Sequence, residues 1–199
     1  MIRHNKISTF TSVCVFILTT FLIASCSAKD IEKILVKNQK EYFSAVKNLR
    51  AGDTIVLANG VWNDFEVVFK GKGTQVQPVT LTAETKGQVI LSGQSNLRLA
   101  GEYLVVSGLV FKNGFTPSSE VISFRRNKKD LAYHSRVTEV VIDNYSNPDR
   151  FESDYWVGLY GKHNRFDHNH LVGKRNKGVT VAVRLTTEES QQNHHRIDH

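Results

Sequence analysis

The chain has 199 residues, 40% of them hydrophobic and 23% charged, which excludes a disordered or wholly membrane-embedded polypeptide and fits one globular domain with its own core. Lysine and arginine number 26 against 19 acids. That excess serves solubility or favours an acidic partner, whether nucleic acid, anionic lipid or anionic glycan.

Arg3 and Lys6 precede an apolar run from Phe10 to Ala24 that is too short to span a bilayer comfortably, the layout of a secretory signal. The run ends in Ile23-Ala24-Ser25-Cys26, which resembles a bacterial lipobox. Residues 1–25 are therefore expected to be a lipoprotein signal peptide with lipidation at Cys26, and Ser27 in the following position points to the outer membrane. More than one acyl chain makes such an anchor stable, where a single chain binds only marginally. Export removes nucleic acid from the partners and leaves glycans. Cys14 is lost with the signal, so the mature chain keeps one cysteine and no internal disulfide. Residues 26–37 read as a polar tether.

From Asn38 to Arg50, Tyr42, Phe43, Val46 and Leu49 recur at the spacing of one helical face. Asn38 with Glu41 resembles a capping box, and Gly52 is a plausible stop. Such a helix serves as a lid on the end of a sheet stack or packs on the side of a sandwich. Beyond Asp53 the period changes to that of strands: Thr54 to Leu57, then the alternating Phe65, Val67 and Phe69, then Val79, Leu81 and Ala83, then Val89 to Leu91. Gly and Asn punctuate them, as in Asn59-Gly60 and Ser92-Gly93.

These strands repeat. With Leu57, Leu81, Val106, Val137, Phe166 and Ile197 as central apolar residues, the intervals are 24, 25, 31, 29 and 31 residues. An apolar residue follows five positions after the anchor in Val106–Phe111, Val137–Ile142 and Phe166–Leu171, as if two short strands met at a bend. A unit of this length cannot bury its apolar side alone and must stack on its neighbours. The expected fold class is therefore all-β, a parallel β-helix over residues 38–199 with an N-terminal amphipathic cap helix, and corners at Asn113-Gly114, Asn144, Asn169 and Gly173. An antiparallel sandwich also has short strands, but it gives no reason for one motif to return at a near-constant period.

Taken in order, Gly52-Asp53-Thr54-Ile55-Val56-Leu57-Ala58-Asn59-Gly60-Val61-Trp62, the rung Val106 to Gly114, Val141-Ile142-Asp143-Asn144-Tyr145, His163 to Asn169 and His195-Arg196-Ile197-Asp198-His199 are similar to the chondroitinase-B-like polysaccharide lyases, above all their alginate lyase members. The resemblance implies a right-handed solenoid and an enzyme that cleaves uronate-containing polysaccharide, alginate first, by β-elimination. It implies a calcium ion that neutralises the uronate carboxylate, a lysine base and an arginine acid. In the family these groups sit on rungs that follow the His-Arg-Ile-Asp-His motif, so the catalytic and calcium-binding residues are expected beyond His199. The chain is then either the N-terminal piece of a longer product or the product of a truncated gene, and is expected to be inactive alone. The alternative is a non-catalytic glycan-binding surface β-helix.

Three cations are candidates for substrate binding. Arg184 belongs to the outward set Thr180, Ala182, Arg184 that alternates with Val179, Val181, Val183 and Leu185; it either grips a carboxylate or pairs with Glu188 or solvent. Lys174 and Arg175, with Lys177, form a basic turn that steers polyanions or is simply solvated. Tyr155, Trp156 and Tyr160 read either as a sugar-stacking platform or as core. His168 and His170 are expected two apart on a strand, on one face, with His163, His194 and His195 near them in a stack. No acidic or thiolate partner has zinc-site spacing, so no metal ligand is assigned.

Overall fold

A computed structural model describes residues 32–185 and 192–198 of the chain. The signal segment and Cys26 lie outside the described residues. The chain winds as a right-handed parallel β-helix. Strand β1 (Lys33–Val36) leads into helix α1 (Gln39–Ala45) and a 3-10 turn at Val46–Asn48. Five coils follow among the described residues, each laying one strand in each of three sheets. They are β2 (Thr54–Leu57), β3 (Gly60–Asn63) and β4 (Glu66–Lys72); β5 (Val79–Ala83), β6 (Val89–Gly93) and β7 (Asn96–Glu102); and β8 (Leu104–Ser107), β9 (Leu109–Gly114) and β10 (Glu120–Ser123) with the extra pair β11 (Arg125–Asn127) and β12 (Asp130–Tyr133). Then come β13 (Arg136–Thr138), β14 (Val141–Asp143) and β15 (Tyr155–Leu159), and β16 (Arg165–Asp167), β17 (His170–Val172) and β18 (Val181–Val183). Strand β19 (Arg196–Asp198) starts the next coil. The first sheet runs β1-β2-β5-β8-β13-β16-β19, the second β3-β6-β9-β14-β17, and the third contains β4, β7, β10, β15 and β18.

Period-2 alternation turns into columns of like residues through the solenoid interior. In the first sheet the column is Ile34, Ile55, Leu81, Val106, Val137, Phe166, Ile197. Five of the six anchors expected from sequence stand in it. The first is displaced by two, because Leu57 pairs with Ala83 and Ile55 with Leu81; both point inward, so the alternation alone does not choose between them. The second sheet contributes Trp62, Leu91, Phe111, Ile142 and Leu171, and the third Val67, Leu97, Ile122, Val157 and Val181. Inner members of these columns are fully buried, each contributing about 1.5–3 kcal/mol of hydrophobic stabilisation. On the last described rung, Ile197 is 50% exposed where Phe166 is 3%.

The N-terminal end is closed. Asn38 caps α1, its Oδ1 accepting from Glu41 N–H at 3.0 Å, while the Glu41 carboxylate reaches back to Lys37 N–H at 2.7 Å. Tyr42 is fully buried and donates its hydroxyl to the Val68 carbonyl; Gln39 donates to the Asn63 carbonyl. The helix thus satisfies carbonyls of the first coil in two sheets and lies across its end as a lid. The α-helix is shorter than the 38–50 pattern, and the solenoid begins earlier than expected: β1, inside the supposed tether, pairs in register with β2.

Most corners carry a residue in the left-handed region, which Asn, Asp, His and Gly tolerate best. Between the second and third sheets these are Asp64, Gly93, Asn113, Asn144 and Gly173, with φ of 51 to 79°. Asn113, Asn144 and Gly173 were expected there. Asn169 stands at the other corner, between β16 and β17, where the preceding His168 has the positive φ and Asn169 turns its side chain inward to the Val140 N–H and the Val137 carbonyl.

Candidate functional site

The outer face of the third sheet carries a cluster of charged and aromatic side chains around one glycine. Arg98, Ser123, Gly158 and Ala182 form an outward column, and Arg184 follows Ala182 on the same face, as the alternation predicted. Gly158 makes the room: a Cβ there would lie 3.0 Å from Glu120 Cγ and 3.0 Å from the Tyr160 ring. Into that space Tyr160 donates its hydroxyl to Glu120 Oε1 at 2.6 Å, and Ser119 donates to Glu120 Oε2 at 2.8 Å. Arg125 lies over the Tyr160 ring, 3.8 Å from its centroid, with Nη2 3.7 Å from Glu120 Oε1. Arg184 donates from Nε to the Tyr160 hydroxyl at 3.2 Å, and its guanidinium lies 4.3 Å over the Tyr155 ring.

These contacts define what the cluster can do. Burial, reinforced by the hydrogen bond to Glu120, raises the Tyr160 pKa, so the phenol stays protonated near neutrality and is a hydrogen-bond donor rather than a base. The hydrogen bond to Tyr160 raises the pKa of Arg184, which is permanently cationic. With Nε engaged and the plane held by Tyr155, the guanidinium of Arg184 is oriented to meet a carboxylate; Glu188, its other expected partner, lies outside the described residues. Among the described residues, two arginines share one buried carboxylate, leaving one positive charge in excess on an aromatic floor. That suits an acidic sugar.

The remaining expected residues separate by environment. Lys174 is turned inward rather than toward a cleft: its Nζ donates to Asp154 Oδ1 at 2.5 Å and Asn176 Oδ1 at 2.9 Å, with a side chain 9% exposed. It fastens two coils. Arg175 is exposed, its N–H bound to Ser146 Oγ. Trp156 is core, donating Nε1–H to the Tyr145 carbonyl, so of the three aromatics only Tyr155 and Tyr160 floor the cluster. His168 sits at a corner, beside Asp167 at 2.6 Å, and not on a strand face with His170. Stacking does occur, but as a ladder through Tyr103, His134, His163 and His194, with ring centroids 4.6 to 5.1 Å apart. All four precede their column residue by three positions, a regularity that would have revealed His134 and Tyr103. Their parallel planes cannot converge on one ion. Among the described residues no three His, Cys, Asp or Glu are placed to hold a metal.

Glu120 and Arg125 were not singled out from sequence. The signal for Arg125 was present, since it opens the basic run Arg125-Arg126-Asn127-Lys128-Lys129. Glu120 carries none, because its partners come from other coils.

A model of the Chondroitinase B family matches residues 36–199. A solved structure of the PL6 family alginate lyase AlyGC is 68% identical, with a TM-score of 0.83 over 84% of this chain and 23% of that one. A mannuronic acid specific polysaccharide family 6 lyase from human gut microbiota is 32% identical, with a TM-score of 0.78 over 85% of this chain and 40% of that one. The PL6 family polysaccharide lyase Pedsa3628 from Pseudopedobacter saltans is 30% identical, with a TM-score of 0.70 over 77% and 34%. No curated protein matches. The chain therefore spans between 23% and 40% of the length of these relatives. With the family match extending through every coil of the solenoid, the chain belongs to the chondroitinase B family, a family of polysaccharide lyases.

Proposed function

We propose that this chain is the N-terminal part of an alginate lyase that cleaves its uronate polymer by β-elimination, and that its own role is to bind and align the polysaccharide. The observation that carries the reading is the 68% identity to an alginate lyase over 84% of the chain. β-Elimination removes a C5 proton next to a carboxylate, so charge develops on that carboxylate in the transition state and a cation must meet it. When bound, calcium would supply that neutralisation. The described residues do not fit it, since no three acidic or histidine ligands converge among them. Its ligands and the lysine and arginine that move protons belong, in this reading, to rungs after Asp198.

What the described residues supply is orientation. Arg184 holds a uronate carboxylate through its Nη groups, Tyr155 keeps the guanidinium flat, and Glu120, through Tyr160, keeps the cluster from collapsing by arginine repulsion. On this reading the chain alone binds uronate oligomers without turning them over. The test is the complete gene product with alginate and calcium, followed by the ultraviolet absorbance of unsaturated uronates. No rise refutes the lyase; binding without turnover by the complete product would leave a non-catalytic glycan-binding β-helix. Outer-membrane anchoring through Cys26 is part of the same proposal, and Cys26→Ser is expected to shift the protein from the membrane to the soluble fraction of cells.

A further inference from the structure

The third sheet is interrupted in its third coil. Strand β10 covers only Leu97 and Arg98 of the long strand β7; the chain then leaves as β11, turns, and returns as β12 to cover Gly101 and Glu102. The excursion is stitched at its base, with Ala132 N–H donating to the Phe124 carbonyl at 2.8 Å and Phe124 N–H to the Gly158 carbonyl of the next coil at 2.9 Å. At its tip, Asn127 Oδ1 accepts from Lys129 N–H at 2.9 Å and fixes the turn. This is a built hairpin, and four of the five residues from Arg125 to Lys129 are cationic.

Their partners are too few. Arg126 and Lys70 of β4 share one carboxylate oxygen, Asp130 Oδ2, at 2.8 and 2.9 Å. Lys128 and Lys129 are exposed and make no ion pair among the described residues. Neighbouring like charges on a rigid turn repel one another, and an anionic partner relieves that repulsion. The hairpin also continues the candidate site, because Arg125 at its foot lies over Tyr160, which binds Arg184. From Arg184 in the fifth coil the hairpin, in the third, is two rung steps of about 4.8 Å away along the solenoid axis, roughly 10 Å, and Lys70 in the first coil is four, roughly 19 Å.

We propose that the β11–β12 hairpin is a second holding point for the acidic polysaccharide, gripping an extended chain through Arg126, Lys128 and Lys129 beyond the Arg184 cluster. The inference rests on the reading of this chain as a binder of uronate polymer. It predicts affinity that grows with oligomer length, because a disaccharide centred on Arg184 covers little of the span to the hairpin and Lys70 and a long oligomer covers it all.

The experiment is calorimetric titration of this chain with an alginate disaccharide and with a long alginate oligomer. It compares wild type, R126A/K128A/K129A, and the control K37A/K40A/K47A, which removes equal charge around the cap helix. The hairpin triple is expected to weaken long-oligomer binding about tenfold and disaccharide binding by less than about twofold, with the control near wild type. K128E/K129E leaves the Arg126–Asp130 pair intact and is expected to abolish the length advantage as well. Equal losses in hairpin and control variants, an unchanged length advantage, or a wild-type chain without one overturns the proposal. Should the complete gene product generate unsaturated uronates while the hairpin variants keep the length advantage, the hairpin inference falls alone; absence of unsaturated product removes the lyase reading on separate evidence.

Discussion

The outer faces of the first and third sheets carry the same residue type in opposite circumstances. On the first, Arg136, Arg165 and Arg196 stack one above another beside Asp167 and Asp198. Arg136 grips Asp167 bidentately, Nε to Oδ1 at 2.7 Å and Nη2 to Oδ2 at 2.5 Å, while Arg165 bridges to Asp167 at 3.2 Å and Asp198 at 3.4 Å. Register supplies each guanidinium with a carboxylate on its own or the next rung, so all three are tied directly to acid. On the third sheet, Arg125 and Arg184 rest on tyrosines, and the one carboxylate between them among the described residues is already taken by Tyr160 and Ser119. The same cation is a strut where the rung-to-rung register matches it with acid, and a binding group where the register offers an aromatic ring.

The largest expected effect breaks the struts. Asp167 is buried with its side chain at 0% exposure; burial pushes its pKa up, but hydrogen bonds from Arg136 and His168 outweigh this and hold it below the usual carboxylate value. Asp167→Ala removes the acceptor from two arginines at once. It is expected to cost about 2–3 kcal/mol, roughly 5–10 °C in Tm, while leaving oligomer binding unchanged. A loss below about 0.5 kcal/mol in urea titration would mean that the ladder is not a strut.

Arg184→Ala is the converse. Binding of uronate oligomers is expected to fall about tenfold, with stability within about 0.5 kcal/mol of wild type. A Tm drop matching that of Asp167→Ala would erase the distinction between the faces. A smaller perturbation is Gly158→Ala, whose added Cβ meets Glu120 and Tyr160 at 3.0 Å. Both side chains can give by a few tenths of an ångström, so about 1 kcal/mol of stability is expected to go, with a several-fold binding loss as Tyr160 shifts under Arg184. Unchanged binding with unchanged stability would show that the cluster tolerates rearrangement.

How far this contrast was legible in the sequence depends on how local its causes are. The solenoid, its cap helix and five column residues follow from periodicity, because a three-residue strand such as Val137's has one inward position and cannot be misread. Two-fold alternation in the longer β2 left Ile55 and Leu57 indistinguishable. The outward direction of Arg184 was readable from its neighbours. The burial of Lys174 was not, because Asp154 lies 20 residues away on another coil and only the stacking brings them together. Glu120 and Tyr160 meet across 40 residues for the same reason. His168 was misplaced because a two-residue offset puts side chains on one face only when no corner intervenes.

The last contrast is within one corner, where side chains from each coil receive the backbone N–H of the coil before. Leu104 N–H donates to Ser135 Oγ at 3.2 Å, Ser135 N–H to Asn164 Oδ1 at 2.9 Å, and Asn164 N–H to His195 Nδ1 at 3.2 Å. Ser and Asn accept at any pH, but His195 accepts only while neutral. Burial, with repulsion from His163, lowers its pKa from 6.5 to about 4, against a smaller opposing contribution from the Asn164 hydrogen bond. A depressed folded-state pKa means that the unfolded chain takes up the proton first, so this stability is fully present above pH 6.5 and is lost as pH falls toward about 4. His163, whose pKa burial and its stacked neighbours His134 and His194 also lower, acts in the same direction. His195→Asn keeps an acceptor and cannot titrate; its unfolding free energy is expected to be flatter than wild type between those pH values, with the residual slope due to the His163 stack. Parallel pH profiles for the two proteins would show that His195 is not the acid-sensitive member of the ladder.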